Sequence, residues 1–394
     1  MTRPRMAGGS VPRVCLQGGT MKKAARIRLT VLAVLLFVFS HGAVLALSCG
    51  TFEYPRCDGP LLQYAGGFDP KAGFGGFGGG SCSAVRTPVV FIHGNGDWAI
   101  NWDSPVTGAV KGYAPPGRSV YQEFRARGYN DCELFGVTYL SVEEQASPKT
   151  NYHRPEKYDI LIRFIEAVRA YTGKPQVDIV AHSLGASMAI AALTHRDDRH
   201  PGTGGWAGVR RFVNIAGGIR GLPACLAAGF ANPHVTTCGS ENVFNRYVFG
   251  FYPDSRLPAG YNRWTGDEGP LSMRRAPEHH PNTWFYTLHA GYHDQIHCTT
   301  AQRHQRCDQG ALFAPSANVK AQLNVGAGSQ ARKETFDFAD WRPTARSGGD
   351  ANGVGHFKAR NNTGRILCEM LDTDCTGIAC KGSYAGGPVR AGAE

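Results

Sequence analysis

Residues 177–193 read VDIVAHSLGASMAIAAL, and this stretch decides the fold. Its first five residues are apolar apart from Asp178, a composition that is typical of a buried strand. Its last ten residues, from Leu184, are small and mostly apolar, and they predict a helix that begins at once behind the strand. Only His182 and Ser183 remain for the turn between them. A strand, a sharp turn and a helix in immediate succession predict one repeating unit of a parallel sheet.

Strand-like and helix-like segments alternate along the rest of the chain. Short apolar runs predict further strands within residues 87–97, 134–140, 210–216, 283–290 and 321–325. Helical periodicity predicts a helix over 119–127 and a second helix that begins at Pro155 and buries Leu161, Ile165 and Val168 on one face. Continuous apolar strands that alternate with helices indicate an α/β fold, with a mostly parallel sheet covered by helices on both faces.

Two segments interrupt this alternation. Residues 64–81 are rich in glycine and show no periodicity, so we predict a loop there. Residues 222–282 contain Cys225, Cys238, several prolines and many aromatic residues, and we interpret them as a lid-like insertion. Together with the flanking strands they form a single expected domain over residues 47–394.

The charge of the 394-residue chain argues against a polyanionic partner. The formal net charge is +11, but seven of the 42 Lys and Arg residues, and none of the 31 Asp and Glu residues, precede residue 47. The remainder therefore carries a net charge of only +4. A mildly basic globular body gives no reason to expect nucleic acid as a partner.

Residues 1–46 resemble a secretory leader. A basic segment contains Lys22, Lys23, Arg26 and Arg28. An apolar stretch over 31–39 follows it, and the small-residue segment that ends at Ala46 predicts cleavage before Leu47. Met21 alone would begin a leader of ordinary length, and an uncleaved anchor is the alternative to cleavage. We expect a secreted or periplasmic protein without stable membrane insertion after cleavage.

Cysteine usage agrees with export, because disulfides persist in oxidising compartments. The chain has twelve cysteines, of which Cys15 lies in the leader. Proximity along the chain predicts the pairs Cys49–Cys57, Cys225–Cys238, Cys298–Cys307 and Cys375–Cys380, and Cys82 and Cys132 are the natural long pair. Cys368 is left over and is expected to be a buried free thiol. A lipid-anchored Cys49 is a weaker alternative, because the residues before it fit that signal poorly.

Ser183 is the candidate nucleophile. It lies in AHSLG, a variant of the G-x-S-x-G pattern in which Ala181 replaces the first glycine and Gly185 keeps the second. The position between a strand and a helix is the one that this pattern requires. Backbone N–H groups at the start of the helix would favour a developing anion there. A serine that merely caps the helix is the alternative.

A serine nucleophile needs a base and an orienting acid, which follow it in the order acid then histidine in this kind of fold. Asp294, directly after the strand within 283–290, is the preferred acid. His356, on the glycine-bracketed loop NGVGHF, is the preferred base. The alternatives are His297 and His304 for the base, and Asp254, Asp267 and Asp350 for the acid. The loop HGNG at 93–96 predicts Asn95 and Leu184 as the two backbone donors of an oxyanion hole, with His93 as a support of that loop.

The chain resembles the secreted, lipase-like poly(3-hydroxybutyrate) depolymerases. The resemblance runs through ordered blocks such as LSCGTFEYPRC, GFGGGSC, TPVVFIHGNGD, VDIVAHSLG, NIAGGIRGL and NGVGHF. It implies an α/β-hydrolase fold, with the triad on Ser183, Asp294 and His356 and the oxyanion donors on Asn95 and Leu184. It also implies a polyester substrate and an aromatic surface that contacts the polymer.

Aromatic residues in polar loops are the candidates for substrate contact. They are Tyr152, Tyr261 and Trp264. Nothing in the sequence calls for a cofactor or a metal, and we expect a monomer. A lipase or carboxylesterase acting on acylglycerols has the same catalytic residues and is the first alternative. A non-catalytic module that binds polymer or lipid is the second.

Overall fold

The computed structural model describes most of the chain beyond residue 62. The described residues are 63–104, 108–148, 151, 155–200, 204–219, 259–262, 267–270, 277–299, 307–331, 335–337, 342–344, 350 and 352–393. Side chains are described for all of these except Pro155, Pro277 and the residues of 259–270 and 335–344. The chain divides into two units, Met1–Leu45 and Ala46–Glu394, and every described residue lies in the second.

A mixed sheet organises the described residues. The strands are β1 Gly76–Phe77, β2 Val89–Ile92, β3 Leu134–Val137, β4 Val177–His182, β5 Val209–Ile215, β6 Ala259–Asn262, β7 Asp267–Pro270, β8 Trp284–His289, β9 Val319–Asn324, β10 Thr335–Asp337, β11 Arg342–Thr344 and β12 Arg390–Ala391. Eight of them form one sheet in the order β1-β3-β2-β4-β5-β8-β9-β12. The six inner strands are parallel to one another. The edge strands β1 and β12 pair antiparallel with β3 and β9. The pairs β6–β7 and β10–β11 are separate hairpins.

Helices follow most of the parallel strands. They are α1 Val120–Ala126, α2 Val142–Ala146, α3 Pro155–Thr172, α4 Leu184–Arg199, α5 Gln295–Cys298, α6 Lys358–Asn361 and α7 Gly364–Asp372. Local chemistry sets several of their ends. Ser119 accepts a hydrogen bond from the Gln122 N–H and caps α1, and Ser141 forms a capping box with Glu144 at α2. Gly173, with φ of +67°, directly follows α3.

The core lies in two layers, one on each face of the sheet. Along β2, Val90 and Ile92 contact the layer built with α3 and α4. The alternate residues, Val89 and Phe91, contact the layer built with α1 and α7. Both faces of the strand are therefore buried, which explains why its sequence is continuously apolar rather than alternating. The predicted burial of the apolar face of α3 is confirmed.

The strand order and the helices on both faces identify an α/β-hydrolase fold, as expected. One expectation is wrong: the glycine-rich stretch 64–81 is not entirely loop. Gly76 and Phe77 pair with β3 as the short strand β1, and Phe77 fills the space above Gly136, which has no side chain. Most of the expected lid over 222–282 lies outside the described residues, apart from β6, β7 and residues 277–282.

Three disulfides are present among the described cysteines. They are Cys82–Cys132, Cys298–Cys307 and Cys375–Cys380, each as predicted from the sequence. Cys368 is a buried free thiol, also as predicted. The expected pairs Cys49–Cys57 and Cys225–Cys238 lie outside the described residues. Disulfides fit an extracellular protein.

Within the residues that the structure describes, no helix is both long and apolar enough to cross a membrane.

Candidate active site

Ser183 occupies a strained turn between β4 and α4. Its backbone has φ of 54° and ψ of −130°, a combination that L-residues rarely adopt. Its N–H donates to the Ile215 carbonyl at 2.8 Å, which ties the turn to β5. Gly185 is required because a Cβ there would lie 2.1 Å from the His93 carbonyl oxygen. The turn therefore lifts Ser183 above the carboxyl end of the sheet, where it stays partly exposed.

His356 lies against Ser183. The distance from its Nε2 to Ser183 Oγ is 2.8 Å, and its Nδ1 lies 2.9 Å from Asp294 Oδ2. An ionised carboxylate only accepts hydrogen bonds, so Nδ1 carries the proton and donates it to Asp294. Nε2 is then free to accept the hydroxyl hydrogen of Ser183. The three residues predicted as nucleophile, base and acid are thus brought into one hydrogen-bonded line.

Asp294 follows β8 and begins α5. It accepts hydrogen bonds from the backbone N–H groups of Ile296 and His297, at 3.0 and 2.9 Å. Burial raises the pKa of Asp294, but the nearby imidazoles of His297 and His356 and these hydrogen bonds outweigh it and lower the pKa to about 2. The carboxylate is therefore ionised throughout the neutral range.

The loop after β2 reaches the same place. A Cβ on Gly94 would lie 3.0 Å from Ser183 Cβ, so the backbone of this loop passes directly beside the serine. The side chain of Asn95 is held on both sides: Nδ2 donates to the Pro148 carbonyl and Oδ1 accepts from Asn151 Nδ2, both at 2.7 Å. Leu184 is the first residue of α4, and N–H groups of a first helical turn have no acceptor within the helix. Leu184 and the loop that carries Asn95 therefore both adjoin Ser183.

His93 supports this loop, as the sequence suggested. Its Nε2 accepts the Tyr139 N–H at 3.2 Å and its ring stacks on the Tyr139 ring, with centroids 4.4 Å apart. Nδ1 therefore carries the proton and donates to the Gly94 carbonyl at 2.7 Å. Burial lowers the pKa of His93 to about 4. The neutral ring joins the loop after β2 to the end of β3.

His297, the alternative base, packs beside the triad, with its ring centroid 5.8 Å from that of His356. Its Nε2 donates to the Ala216 carbonyl at 3.0 Å. Side-chain atoms of Asp294, His297 and His356 lie within 4.8 Å of one another, a spacing that could suit a metal ion. Their hydrogen bonds to each other, to Ser183 and to Ala216 already account for this arrangement. Burial lowers the pKa of His297, although Asp294 opposes the shift.

A buried ion pair joins helix α6 to the loop after β2, and sequence reasoning missed it. Arg360, fully buried in α6, donates to Asp97, which directly follows the HGNG loop. Asp97 also accepts from the Trp98 N–H and from Asn101. The guanidinium of Arg360 lies over the Trp102 ring, 5.4 Å from its centroid. The helix behind His356 is thereby tied to the loop that carries Asn95.

The other candidates fall in different places. Tyr152, Trp264, His304 and Asp254 lie outside the described residues. Tyr261 pairs with Glu268 in the β6–β7 hairpin, whose side chains are not described. Asp267 is in the same hairpin. Asp350 is buried close to His356 and contacts its neighbours rather than its ring.

The sequence of residues 86–257, less than half of the chain, matches the model of the class 2 lipase family. No curated protein sequence matches the chain.

Several solved structures of lipases and esterases are similar to this chain at low identity. Aspergillus fumigatus lipase B is 12% identical with a TM-score of 0.37, over 74% of this chain and 54% of that one. The Bacillus licheniformis lipase BlEst2 is 16% identical with a TM-score of 0.30, over 54% and 37%. A Bacillus subtilis naproxen esterase is 12% identical with a TM-score of 0.30, over 65% and 82%. The chain thus spans about half of the first and about a third of the second.

The match to the class 2 lipase model and the strand order of the α/β-hydrolase fold agree with each other. Ser183 lies in the strand-to-helix turn at which this fold can carry a nucleophile.

Proposed function

We propose that the chain hydrolyses esters with Ser183 as nucleophile, His356 as general base and Asp294 as the acid that orients the base. The observation that carries this proposal is the line of hydrogen bonds from Ser183 Oγ through His356 to Asp294, at 2.8 and 2.9 Å. Nucleophile and base within this reach, with the base oriented by a third group, are the requirement for covalent catalysis by serine.

The reaction begins when Ser183 Oγ attacks the ester carbonyl carbon and His356 Nε2 takes the hydroxyl proton. The N–H groups of Asn95 and Leu184 stabilise the oxygen anion of the tetrahedral intermediate. Asp294 stabilises the imidazolium, which gives its proton to the leaving alcohol oxygen as the carbon–oxygen bond breaks. Water then attacks the acyl-enzyme, again with His356 as base, and releases the acid and free Ser183.

For the substrate we propose poly(3-hydroxybutyrate), acted on by a single secreted catalytic domain over residues 47–394 with a lid-like insertion over 222–282. The ordered sequence blocks shared with secreted polyester depolymerases support this choice. Export is supported by the leader-like residues 1–46 and by the three disulfides. The second candidate is a lipase acting on acylglycerols, which the class 2 lipase match favours.

One assay separates the two candidates. Purified mature protein is incubated with amorphous poly(3-hydroxybutyrate) granules and, in parallel, with a triacylglycerol emulsion. A depolymerase releases soluble 3-hydroxybutyrate oligomers from the granules and little fatty acid from the emulsion. The reverse pattern would establish the lipase. Protein with Ser183→Ala is the control in both arms, and activity in neither arm would refute ester hydrolysis of both kinds.

Contact with the polymer is proposed for Tyr152, Tyr261 and Trp264. A granule cannot diffuse into a pocket, so the enzyme must present apolar surface, and aromatic rings supply contact area at low entropic cost. Changing Tyr261 and Trp264 to Ala should weaken granule binding while turnover of 4-nitrophenyl butyrate stays within a few-fold. Equal losses on both substrates would mean that the two residues support the fold instead.

A further inference from the structure

The backbone of His356 is held on both sides by sequence neighbours of the other two triad residues. Its carbonyl oxygen accepts from Nε2 of His182, which precedes Ser183, at 3.1 Å. Its N–H donates to Oε1 of Gln295, which follows Asp294, at 2.9 Å. His182 and Gln295 are both buried. The ring of His356 is therefore aimed by bonds to its backbone as well as by Asp294.

Asp350 holds Gln295 in the orientation that this requires. Its side chain is fully buried, and its backbone has φ of 69°, a strained value for a non-glycine residue. One carboxylate oxygen, Oδ1, accepts from the side-chain amide of Gln295. The other, Oδ2, accepts from the N–H groups of Phe357 and Lys358, at 2.6 and 2.8 Å. Asp350 thus contacts both the residue after the acid and the two residues after the base.

We propose that Asp350 and Gln295 are positioning residues for His356. The two ends of a glutamine amide differ: one accepts hydrogen bonds and the other donates them. Because Asp350 accepts, it draws the NH₂ end of Gln295 towards itself and leaves the carbonyl end for the His356 N–H. The same carboxylate fixes the first residues behind His356. This inference rests on the proposed function, since it takes His356 to be the catalytic base.

Ionisation of Asp350 is part of the arrangement, because the side-chain amide of Gln295 and the N–H groups of Phe357 and Lys358 all donate to its carboxylate. A protonated carboxyl would direct its own O–H at a donor. Burial raises the pKa of Asp350 to about 7, against the hydrogen bonds of Lys358 and Gln295 and the charge of His356. Lys358 faces it from α6, and burial lowers the pKa of Lys358 to about 8, with Arg360 adding to that shift. Below pH 7 the positioning contact should therefore be progressively lost.

Two isosteric changes test the hydrogen bond between Asp350 and Gln295. Each change alone breaks the bond, and the two together restore it with donor and acceptor exchanged. Asp350→Asn places an amide NH₂ against the NH₂ of Gln295, so Gln295 must turn and the His356 N–H loses its acceptor. Gln295→Glu alone sets two carboxylates together. In the double variant Asp350→Asn with Gln295→Glu, the introduced asparagine is the donor, and the introduced glutamate accepts from it and from His356. All four hydrogen bonds can form again.

The rate on 4-nitrophenyl butyrate is measured per active site, titrated with an organophosphate, so that folding yield does not enter. Each single variant should lower kcat by about 10- to 100-fold, the effect of a misplaced catalytic group, with KM within a few-fold. The double variant should recover at least ten-fold over Asp350→Asn. On the acid side of the pH profile, the rate of the wild type should fall with the binding of more than one proton. The rate of Asp350→Asn should fall with the binding of one proton only.

Asp178→Asn is the matched control, because Asp178 is equally buried but lies at the start of β4, at the opposite end of the strand from Ser183. It should leave kcat and the pH profile unchanged. Single variants that keep more than a third of kcat, or a double variant no better than Asp350→Asn, would overturn the inference. Wild-type protein without esterase activity would instead refute the proposed function, so the two failures are distinguishable.

Discussion

Asp178 and Asp294 are both buried carboxylates beside the central strands, but they lie at opposite ends of the sheet. Asp178, in β4 near the amino end, bonds to the guanidinium of Arg210, and burial still raises its pKa to about 6. Asp294, at the carboxyl end, bonds to His356 and to two backbone N–H groups, and its pKa falls to about 2. Equally buried carboxylates therefore have pKa values shifted in opposite directions, because the charges of two histidines and the hydrogen bonds outweigh burial at Asp294, whereas Arg210 and Arg211 do not outweigh it at Asp178.

The two ends also differ in backbone strain. Four non-glycine residues in the described part of the chain have positive φ, and three of them, Ser183, Ala216 and Asp350, lie around the triad. Such conformations cost about 1–3 kcal/mol each and persist where the surrounding structure imposes them. At the amino end, the ion pair Arg210–Asp178 joins β5 to β4, and Arg211 of β5 pairs with Asp374, which follows α7. The difference indicates that strained backbone at the carboxyl end positions the triad, whereas ion pairs at the amino end hold neighbouring segments together.

The largest expected effect is at the carboxyl end. Ser183→Ala should lower kcat on 4-nitrophenyl butyrate by roughly a million-fold, because triad residues act as one unit. The melting temperature should not fall, since the strained turn remains and only one hydroxyl is lost. Ser187→Ala, one turn further along α4, is the control and should stay within a few-fold. More than a tenth of the wild-type rate in Ser183→Ala would disprove the assignment of the nucleophile.

The next largest effect is expected at the buried ion pair between Arg360 of α6 and Asp97. Arg360→Met should destabilise the protein by about 3–5 kcal/mol, because it leaves the buried Asp97 carboxylate without its counter-ion. Urea denaturation measures the loss of unfolding free energy. The remaining folded protein should also have a lower kcat, since α6 and the loop of Asn95 are no longer tied.

The double change Asp97→Asn with Arg360→Met distinguishes charge from packing. It removes both buried charges, so it should be more stable than Arg360→Met alone. If the double variant were the less stable of the two, the hydrogen bonds that Asp97 accepts from Trp98 and Asn101 would outweigh the cost of its unpaired charge.

The smallest effect is expected at the amino end. The raised pKa of Asp178 means that the folded state binds a proton more tightly than the unfolded state. Relative to Asp178→Asn, the wild type should lose up to about 1.4 kcal/mol of stability per pH unit as the pH rises from 3.8 to about 6. Urea titrations at several pH values measure the difference, and kcat/KM should stay within two-fold.

The stability of the wild type relative to Asp294→Asn should change in the opposite direction and rise with pH. Because the pKa of Asp294 is lowered, its contribution to stability is present above its ordinary value of 3.8 and is lost as the pH falls towards 2. If the stability differences for Asp178→Asn and Asp294→Asn changed with pH in the same direction, the opposite pKa shifts of Asp178 and Asp294 would be wrong.

Much of the fold was predictable because its strands are buried on both faces and so carry continuous apolar runs. The runs around β2, β4, β5 and β8 were each found close to their observed bounds. The short strand β1 was not, because Gly76 and Phe77 pair only through the presence of β3 and the bare backbone of Gly136. A glycine-rich segment shows no periodicity from which such a pairing could be predicted.

The sequence by itself determined the turn at Ser183, the three disulfides within the described residues and the choice of Asp294 and His356. The signals are a strand followed at once by a helix for Ser183, a position just past a strand for Asp294 and a glycine-bracketed loop for His356. Two of the disulfides join cysteines that are close along the chain, and Cys82–Cys132 is the natural long pair. Only the tertiary structure decided how Arg360 meets Asp97 and how Asp350 and Gln295 hold His356. These contacts join residues 263, 55 and 61 positions apart, and their energies depend on burial and orientation, which no short stretch of sequence encodes.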